Sequence, residues 1–179
     1  MKQDVIVAQE VFDSPRFELR PLRRSDEGLM TLYTSDKRVA SMTSSIPHPL
    51  PPGSVEAFIA KANATERQEH VWAMDASRFG GSELLGVISL KQMDRDQSEI
   101  GFWVAPAMWN TGLGSEAVRT LIAANPLANS TIFATVFQDN PASARVLTNA
   151  GFDYLGDAES FSVARGHAAP TWTYLKKLA

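Results

Sequence analysis

The sequence predicts a single domain of the mixed α/β class, and three observations lead to that prediction. The chain has 179 residues, a length that suits one domain with a sizeable core. Its middle part carries short apolar and β-branched runs separated by glycine-rich or polar turns, which is typical of an antiparallel meander. Its last part alternates strand-like and helix-like segments. We therefore expect one domain over residues 1–179, with 1–14 as an N-terminal extension, and a mostly antiparallel central sheet flanked by about four helices.

In the first part of the chain, one strand and two helices are expected. Residues 16–22 alternate polar and apolar side chains, as a half-buried strand does. A helix is expected to begin at Ser25–Glu27, where a capping residue is followed by acidic residues in the first turn. After a proline-rich loop at 44–53, Ser54 is expected to be the N-cap of a second helix. The apolar face of this second helix consists of Val55, Phe58, Ile59 and Ala62.

The remaining elements follow from the same reasoning. Strands are expected at 71–74, 84–90, 98–104, 131–137, 152–155 and 171–175. A helix opens at 112–115, and its apolar stripe consists of Leu113, Ala117, Val118, Leu121 and Ile122. A last helix is expected to begin at Asn140–Pro141, because a capping side chain precedes proline at the first helical position, and to end at Gly151.

The composition excludes several classes of function. The chain has 17 Lys and Arg against 20 Asp and Glu, a formal net charge of −3, so it lacks the basic balance of an electrostatic nucleic-acid binder. The absence of Cys removes disulfides, thiolate zinc sites and cysteine nucleophiles. Three scattered residues, His48, His70 and His167, lack metal-ligand spacing, so no metal is expected. No stretch approaches the ~20 apolar residues of a membrane span, and residues 5–8 are too short for a signal peptide, so a cytoplasmic protein without a membrane partner is expected.

Two segments carry the residues of a candidate ligand site. Residues 109–116 read Trp-Asn-Thr-Gly-Leu-Gly-Ser-Glu, follow a predicted strand and open a helix. Glycines let backbone N–H groups converge and a helix N-terminus adds a positive dipole end, so this segment suits a phosphate or pyrophosphate; a plain strand-to-helix turn is the alternative. It is not a Walker loop, because no Lys-Ser/Thr follows. In the second segment Asn140 is expected to cap a helix, and Ser143, one turn further on, faces the same helix end.

These segments together resemble the GNAT acetyltransferase superfamily, and within it the RimJ/RimL-type branch, which acetylates protein N-terminal amines. The matching segments, in order along the chain, are 17–22, 99–104, 109–117 and 140–152. Their order and spacing are more specific than any one of them, and the resemblance extends over residues 15–178. A homodimer is compatible with this branch, although no sequence stripe indicates one.

The resemblance implies that acetyl-CoA binds where the strand at 98–104 splays from the strand at 131–137. Asn140 and Ser143 would lie near the pantetheine and thiol end. The backbone groups that would bond the pantetheine arm are those of Phe102, Trp103 and Val104. The amides that would hold the pyrophosphate are those of Asn110, Thr111, Gly112, Leu113, Gly114 and Ser115. Trp109 stands where the superfamily often has Gln or Arg, and Trp there suits the RimJ/RimL-type branch.

The expected chemistry begins with a proton transfer. An α-amine titrates near pH ~8 and a lysine amine near ~10, so the acceptor must lose a proton before it attacks a thioester. Glu99 is the candidate base, directly or through water; the alternative is a solvent-facing strand residue. A backbone N–H near Val104 is expected to stabilise the oxyanion. Many superfamily members have a Tyr that acts as the general acid four residues before the Gly-Phe pair. Leu147 occupies that position here, so Ser143 is the candidate acid and Tyr154 a less favoured substitute.

Three functions therefore remain open. The first is acetyl transfer to a protein or peptide N-terminal amine. The second is the same transfer to a small-molecule amine such as a polyamine, amino acid or aminoglycoside, since segments 25–55 and 155–170 carry no recognisable acceptor code. His48 borders this acceptor region by the resemblance. The third is a non-catalytic acyl-CoA-binding regulator, which the missing Tyr leaves open. A nucleotide-binding protein is disfavoured because neither a phosphate-binding Lys nor metal carboxylates accompany the glycines.

Overall fold

One twisted sheet organises the computed structural model, which describes residues 9–178. Within those residues there are eight strands, in the spatial order β1-β2-β3-β4-β5-β6-β8-β7. The strands are β1 (Phe12–Asp13), β2 (Glu18–Pro21), β3 (Glu69–Asp75), β4 (Gly86–Gln92), β5 (Gln97–Val104), β6 (Thr131–Phe137), β7 (Asp153–Ser162) and β8 (His167–Lys177). The helices are α1 (Glu27–Thr34), α2 (Lys37–Ala40), α3 (Ser54–Ala62), α4 (Leu113–Ala124) and α5 (Pro141–Asn149).

The single parallel pair of the described sheet, β5 and β6, is also the place where the sheet opens. These strands are in register only from Gln97 opposite Thr131 to Ile100 opposite Ala134. Beyond Ile100, β5 continues to pair with β4 on its other side but no longer with β6. The predicted splay between these two strands is therefore present. It leaves main-chain groups at the end of β5 free on one side, which is a ready edge for an extended ligand.

The two faces of the sheet are covered by different helices. One core joins β-strand residues such as Trp72, Ile100 and Ile132 to the apolar stripes of α4 and α5. The other joins Val71 and Val87 to α1 and α3. Because neighbouring residues of a strand point to opposite faces, alternate residues of β3, β4 and β5 lie on the face that α1 and α3 cover.

Most predicted elements are found, and the differences have local causes. The strand at 131–137 and the helix start at Asn140–Pro141 match to the residue. Ser54 is not the N-cap of its helix: Gly53 holds that position with φ 77°, and Ser54 is the first helical residue. The left-handed backbone that ends the proline-rich loop favours glycine at the cap itself.

Three further differences concern the ends of the chain and a short helix. The strands β7 and β8 are longer than predicted, because polar and proline residues at positions such as Pro170 interrupt their apolar pattern. The four-residue α2 was not predicted. Of the predicted N-terminal extension, residues 1–8 lie outside the described part, whereas Phe12–Asp13 pair with β2. In residues 9–178 no helix has both the length and the apolar character needed to cross a bilayer.

Candidate active site

Three adjoining cavities follow the open part of the sheet. The loop cavity, about 610 Å³, lies between the end of β5, the 109–115 loop and α5. The central cavity, about 380 Å³, lies in the β5–β6 splay and extends over the sheet face to β4. The α3 cavity, about 610 Å³, lies between α3, the 45–50 loop and the sheet. Neighbouring cavities share lining residues, so together they form a path from α5 to α3.

All of the residues predicted to bind the cofactor line the loop cavity. They are Phe102, Trp103, Val104, Asn110, Thr111, Gly112, Leu113, Gly114, Ser115, Asn140 and Ser143. Their proximity follows from topology, since β5 runs directly into the 109–115 loop while the parallel strand β6 runs directly into α5.

The 109–115 loop presents a row of unpaired backbone donors. Within residues 9–178, the amides from Asn110 to Ser115 donate no hydrogen bond, and the first amide of α4 to find a backbone partner is that of Glu116. Asn110 and Gly112 have φ of 62° and 81°, the left-handed backbone that turns successive N–H groups toward one point. Such a cradle at a helix N-terminus suits an anion, for example a phosphate or pyrophosphate.

Arg16 braces this loop, a contact that the sequence analysis missed. Its Nη1 donates to the carbonyl of Thr111 at 2.8 Å, and its Nε pairs with Glu116 Oε1 at 2.9 Å. Ser14 Oγ donates to the other oxygen of Glu116 at 2.8 Å. The segment before β2 is thereby tied to the first turn of α4. The available sequence signal was the opposite charge of Arg16 and Glu116, but about a hundred residues separate the two.

Asn140 and Ser143 lie where the loop cavity meets the central cavity. The side chain of Asn140 accepts from the amide of Ser143 at 3.4 Å and donates through Nδ2 to Ser143 Oγ at 2.9 Å. Because Ser143 Oγ accepts this bond, its own hydrogen is free to donate toward a ligand. Asn140 therefore both caps α5, as predicted, and orients the hydroxyl of Ser143.

The end of β5 is held by an indole. Trp109 Nε1 donates to the carbonyl of Val104 at 2.7 Å, and the guanidinium of Arg38 lies 5.4 Å from the centre of the Trp109 ring. This bond occupies one of the two acceptor sites of the Val104 carbonyl. Trp109 thus supports the strand end that borders the loop cavity, while remaining 40% exposed.

Glu99 lies in the central cavity, on the sheet face that α3 covers. Its side chain stays accessible to solvent, yet desolvation by the cavity walls raises the pKa of its carboxyl group. The nearby Lys91 lowers that pKa and Glu69 raises it further, and burial outweighs both. A carboxylate whose pKa is raised toward neutrality is better matched to accept a proton from an ammonium group.

Strand register places three charged residues in one row. Glu69 on β3 is directly opposite Lys91 on β4, and Lys91 is directly opposite Glu99 on β5. All three line the central cavity, and Glu69 and Lys91 also line the α3 cavity. Among the described residues none of the three has an oppositely charged partner within 4 Å. Each keeps its charge available to a ligand. Of these three residues, Glu99 was proposed from the sequence as a site residue, whereas Glu69 and Lys91 were not.

The loop at 41–46 forms the roof of the central cavity and is hydrogen-bonded to the β7–β8 turn. The amide of Val163 donates to the carbonyl of Ser44 at 3.1 Å, and Arg165 Nε donates to that of Ser41 at 2.9 Å. Arg165 also pairs with Asp139 at 2.7 Å, and hydrogen bonding from Arg165 lowers the pKa of that carboxyl group. One arginine thus joins the roof of the cavity to the residue before the α5 cap.

Two residues considered from the sequence lie outside the three cavities. Tyr154 is 56% exposed on β7, where its hydroxyl bonds Asp157, so it is not placed to act as the acid. His48 lines none of the three, although its neighbour Pro47 lines the α3 cavity. Leu147, at the position of the superfamily Tyr, is fully buried and borders the central cavity.

Comparison with protein families gives one clear match. The model described as "Acetyltransferase (GNAT) domain" matches residues 16–153. A curated relative, the uncharacterized N-acetyltransferase YoaA of Bacillus subtilis, is 34% identical over 108 residues, which cover 58% of this chain and 59% of YoaA. The match thus spans less than two thirds of that relative.

Solved structures of similar fold include enzymes with different acceptors. The ribosomal-protein α-N-acetyltransferase RimL, solved with coenzyme A, has a TM-score of 0.80 and 16% identity over 94% of this chain and 98% of its own. The spermidine N-acetyltransferase of Vibrio cholerae, solved with CoA and spermine, has a TM-score of 0.77 and 14% identity over 91% of this chain and 96% of its own. At such identities these likenesses show the fold.

Proposed function

The chain belongs to the GNAT acetyltransferase family, and we propose that it is an acyltransferase that moves an acetyl group from acetyl-CoA to a primary amine in a ternary complex. One observation carries the proposal. An anion cradle and a carboxylate of raised pKa lie in adjoining cavities, and a free hydroxyl, that of Ser143, stands at their junction.

We assign coenzyme A to the loop cavity. The unpaired amides from Asn110 to Ser115 would hold the pyrophosphate, and the open edge of β5 at Phe102–Val104 would bond the pantetheine arm. Acetyl-CoA supplies an activated acetyl group, with a thiolate as leaving group. RimL and the spermidine enzyme, both solved with CoA, support this assignment.

Glu99 would accept the proton that an ammonium must lose before attack, directly or through a water molecule. The amine nitrogen then forms a bond to the acetyl carbon as the carbon–sulfur bond breaks. The hydroxyl of Ser143 would give its proton to the departing sulfur, so that CoA leaves as the thiol, and would regain a proton from the positively charged nitrogen of the new amide. A thiol pKa of about 8.5 means that this acid assistance is a small part of the rate.

Two acceptor classes are proposed, in this order. A protein or peptide N-terminal amine comes first, supported by the matching motifs and by the likeness in fold to RimL. A small-molecule amine comes second, supported by the roof that Arg165 and Val163 hold over the central cavity and by the likeness to the spermidine enzyme. A homodimer stays a prediction, which the molecular mass measured by sedimentation equilibrium would test.

The proposal is tested by following CoA thiol release from acetyl-CoA with N-terminal peptides, amino acids and polyamines as acceptors. We expect release with at least one acceptor class, and calorimetric binding of acetyl-CoA without any acceptor. Binding without release in the presence of every amine would identify a non-catalytic acyl-CoA-binding regulator instead. Failure to bind acetyl-CoA at millimolar concentration would contradict both functions.

A further inference from the structure

The acceptor end of the site contains cations that an ordinary amine acceptor does not need. The α3 cavity is lined by Lys61, Arg67 and Lys91 against two carboxylates, Glu66 and Glu69. Within residues 9–178 none of these three cations has a carboxylate within 4 Å. A site that received only a cationic amine would be expected to hold carboxylates alone, because each cation repels the ammonium.

Two polar atoms of the same cavity point to a ligand that accepts hydrogen bonds. Arg67 Nε and Ser54 Oγ are buried and have no hydrogen-bond partner among the described residues. Nη1 and Nη2 of Arg67 each donate one hydrogen bond, to Ala64 and Gln9, which fixes the plane of the guanidinium and leaves Nε as its one nitrogen without a partner among the described residues. An unpaired buried donor on a cation is costly unless a ligand oxygen completes it.

Lys91 links this cationic cavity to the reaction centre. It lines both the central and the α3 cavity, and it stands directly opposite Glu99, the proposed base. The Cβ atoms of directly opposite residues in an antiparallel pair are roughly 5 Å apart. When the amine of an acceptor faces Glu99, the functional group next to that amine therefore lies near the ammonium of Lys91.

We propose that this chain selects acceptors that carry a carboxylate close to the reacting amine. Lys91 binds the carboxylate, and the α3 cavity holds the rest of the acceptor molecule. This inference rests on the proposed acetyltransferase function and narrows its acceptor class. The apolar walls at Leu50, Val55 and Phe58 suit an apolar body. The carboxylate is either the α-carboxylate of a free amino acid or an acidic side chain near a peptide N-terminus.

The row formed by Glu69, Lys91 and Glu99 also disfavours one class of acceptor. A polyamine whose first amine faced Glu99 would have to pass Lys91 to bring its second amine to Glu69. The position of Lys91 between two carboxylates therefore disfavours diamines and polyamines, in contrast to a row of carboxylates alone.

The test compares matched acceptors by their kcat/KM. The first pair is L-leucine and L-leucinamide. The second pair is a peptide with Asp at its second position and the same peptide with Asn there. The fifth acceptor is 1,4-diaminobutane. The amide of leucine has the lower amine pKa, so intrinsic reactivity favours the amide and a preference for leucine reports binding. Because every acceptor uses Glu99, ratios between acceptors cancel any effect of a variant on the base.

We expect the wild type to prefer one carboxylate-bearing member over its amide by about 10-fold or more, the value of a charge-assisted hydrogen bond. The leucine pair and the peptide pair then distinguish the two sources of the carboxylate. In Lys91→Glu this preference disappears and 1,4-diaminobutane gains relative to leucine. Lys37→Glu makes the same change of charge on α2, away from the three cavities, and leaves the ratios unchanged.

A readout without turnover keeps this inference separate from the proposed function. With CoA present, calorimetry is expected to show tighter binding of the carboxylate-bearing ligand than of its amide to the wild type but not to Lys91→Glu. Equal binding of both members in both pairs, or a wild-type preference for the diamine, overturns the inference. Absence of CoA release with every amine, alongside a normal binding difference, counts against the transferase function alone.

Discussion

At the residue scale, Glu99 shows how one carboxyl group acquires a role that its residue type does not guarantee. Its position on β5 alone is compatible with a solvent-facing strand residue. The splay after Ile100 and the roof over the central cavity partly desolvate its carboxyl group and raise its pKa. Lys91 on the neighbouring strand β4 and Glu69 on β3, one strand further, act on that pKa in opposite directions.

The raised pKa of Glu99 predicts the pH dependence of catalysis. For the wild type, kcat/KM should rise with pH through a value above the ordinary carboxyl range, because the base must be ionised. Glu99→Gln should lose that limb, and its deficit, about 100-fold or more near neutral pH, should shrink at high pH, where the amine is deprotonated by solvent. The measurement is a pH profile of kcat/KM for both proteins. Parallel profiles would remove Glu99 from the role of base.

Ser143 should contribute less than Glu99. Ser143→Ala removes a donor to a thiolate that needs little acid, so we expect kcat to fall by about 10-fold with little change in KM for acetyl-CoA. Ser143→Thr keeps the hydroxyl and is the matched comparison. A loss of acetyl-CoA affinity equal to the loss in kcat would assign Ser143 to cofactor binding instead.

At the element scale, the 109–115 loop and α4 form the anion cradle, and its backbone shape depends on Gly112. Gly112→Ala would place a Cβ on a residue with φ 81° and within 3.4 Å of Arg16 Nη2. Gly166 has a similar φ of 73° in the β7–β8 turn, with open space around it. Both alanine variants should lose about 1 kcal/mol of stability, but acetyl-CoA binding should weaken only in Gly112→Ala.

Calorimetric titration with acetyl-CoA and urea unfolding measure these two quantities. Equal affinity for acetyl-CoA in the two variants would mean that the loop geometry does not matter for binding. Equal affinity would also leave the row of unpaired amides without a ligand.

Elements with local signals could be predicted from the sequence, and pairings across the sheet could not. The run at 131–137 and the Asn140–Pro141 pair each specify their element within a few residues. The opposition of Glu69, Lys91 and Glu99 depends on the register of three strands, which a one-residue shift would destroy. The candidate cofactor residues could be proposed from the sequence because they sit in three short matching segments, 99–104, 109–117 and 140–152, whereas Glu69 and Lys91 belong to no motif.

At the scale of the whole molecule, a buried charge network joins the first strands to α1. Arg20, 4% exposed, donates to Asp26 at 2.8 Å and to Asp75 at 2.6 Å, and Arg23 donates to Asp75 at 2.8 Å. Burial alone would raise the pKa of Asp75, but hydrogen bonds from Arg20 and Ser77 outweigh it and lower that pKa. The network fixes β2 against β3 on the side of the sheet that α1 and α3 cover.

Removing the shared cation should destabilise the fold. Arg20→Met leaves the buried carboxylate of Asp26 without a cation and that of Asp75 with Arg23 alone. We expect a loss of about 3–5 kcal/mol of unfolding free energy near neutral pH, measured by urea denaturation. Arg78→Met removes an exposed cation near Asp13 and Glu18 and should change little. A small effect of Arg20→Met would show that the network contributes to positioning but not to stability.

The same network determines how stability depends on acid. A lowered pKa of Asp75 adds stability above the ordinary carboxyl pKa, and this contribution is lost as the pH falls through the lowered value. In Arg20→Met the pKa of Asp75 is higher than in the wild type, because the hydrogen bond from Arg20 no longer opposes the effect of burial. The stability deficit of the variant should therefore narrow toward acidic pH, where the protonated carboxyl groups no longer need a cation. A deficit that widens on acidification would contradict this assignment.

The central claim is that acetyl-CoA enters the β5–β6 splay and meets its acceptor at the junction of the loop and central cavities. A crystal structure with acetyl-CoA tests it most directly. We expect the pyrophosphate within hydrogen-bond distance of the amides from Asn110 to Ser115, and the acetyl group between Ser143 and Glu99. A pyrophosphate bound elsewhere, or an acetyl group turned away from the central cavity, would contradict it.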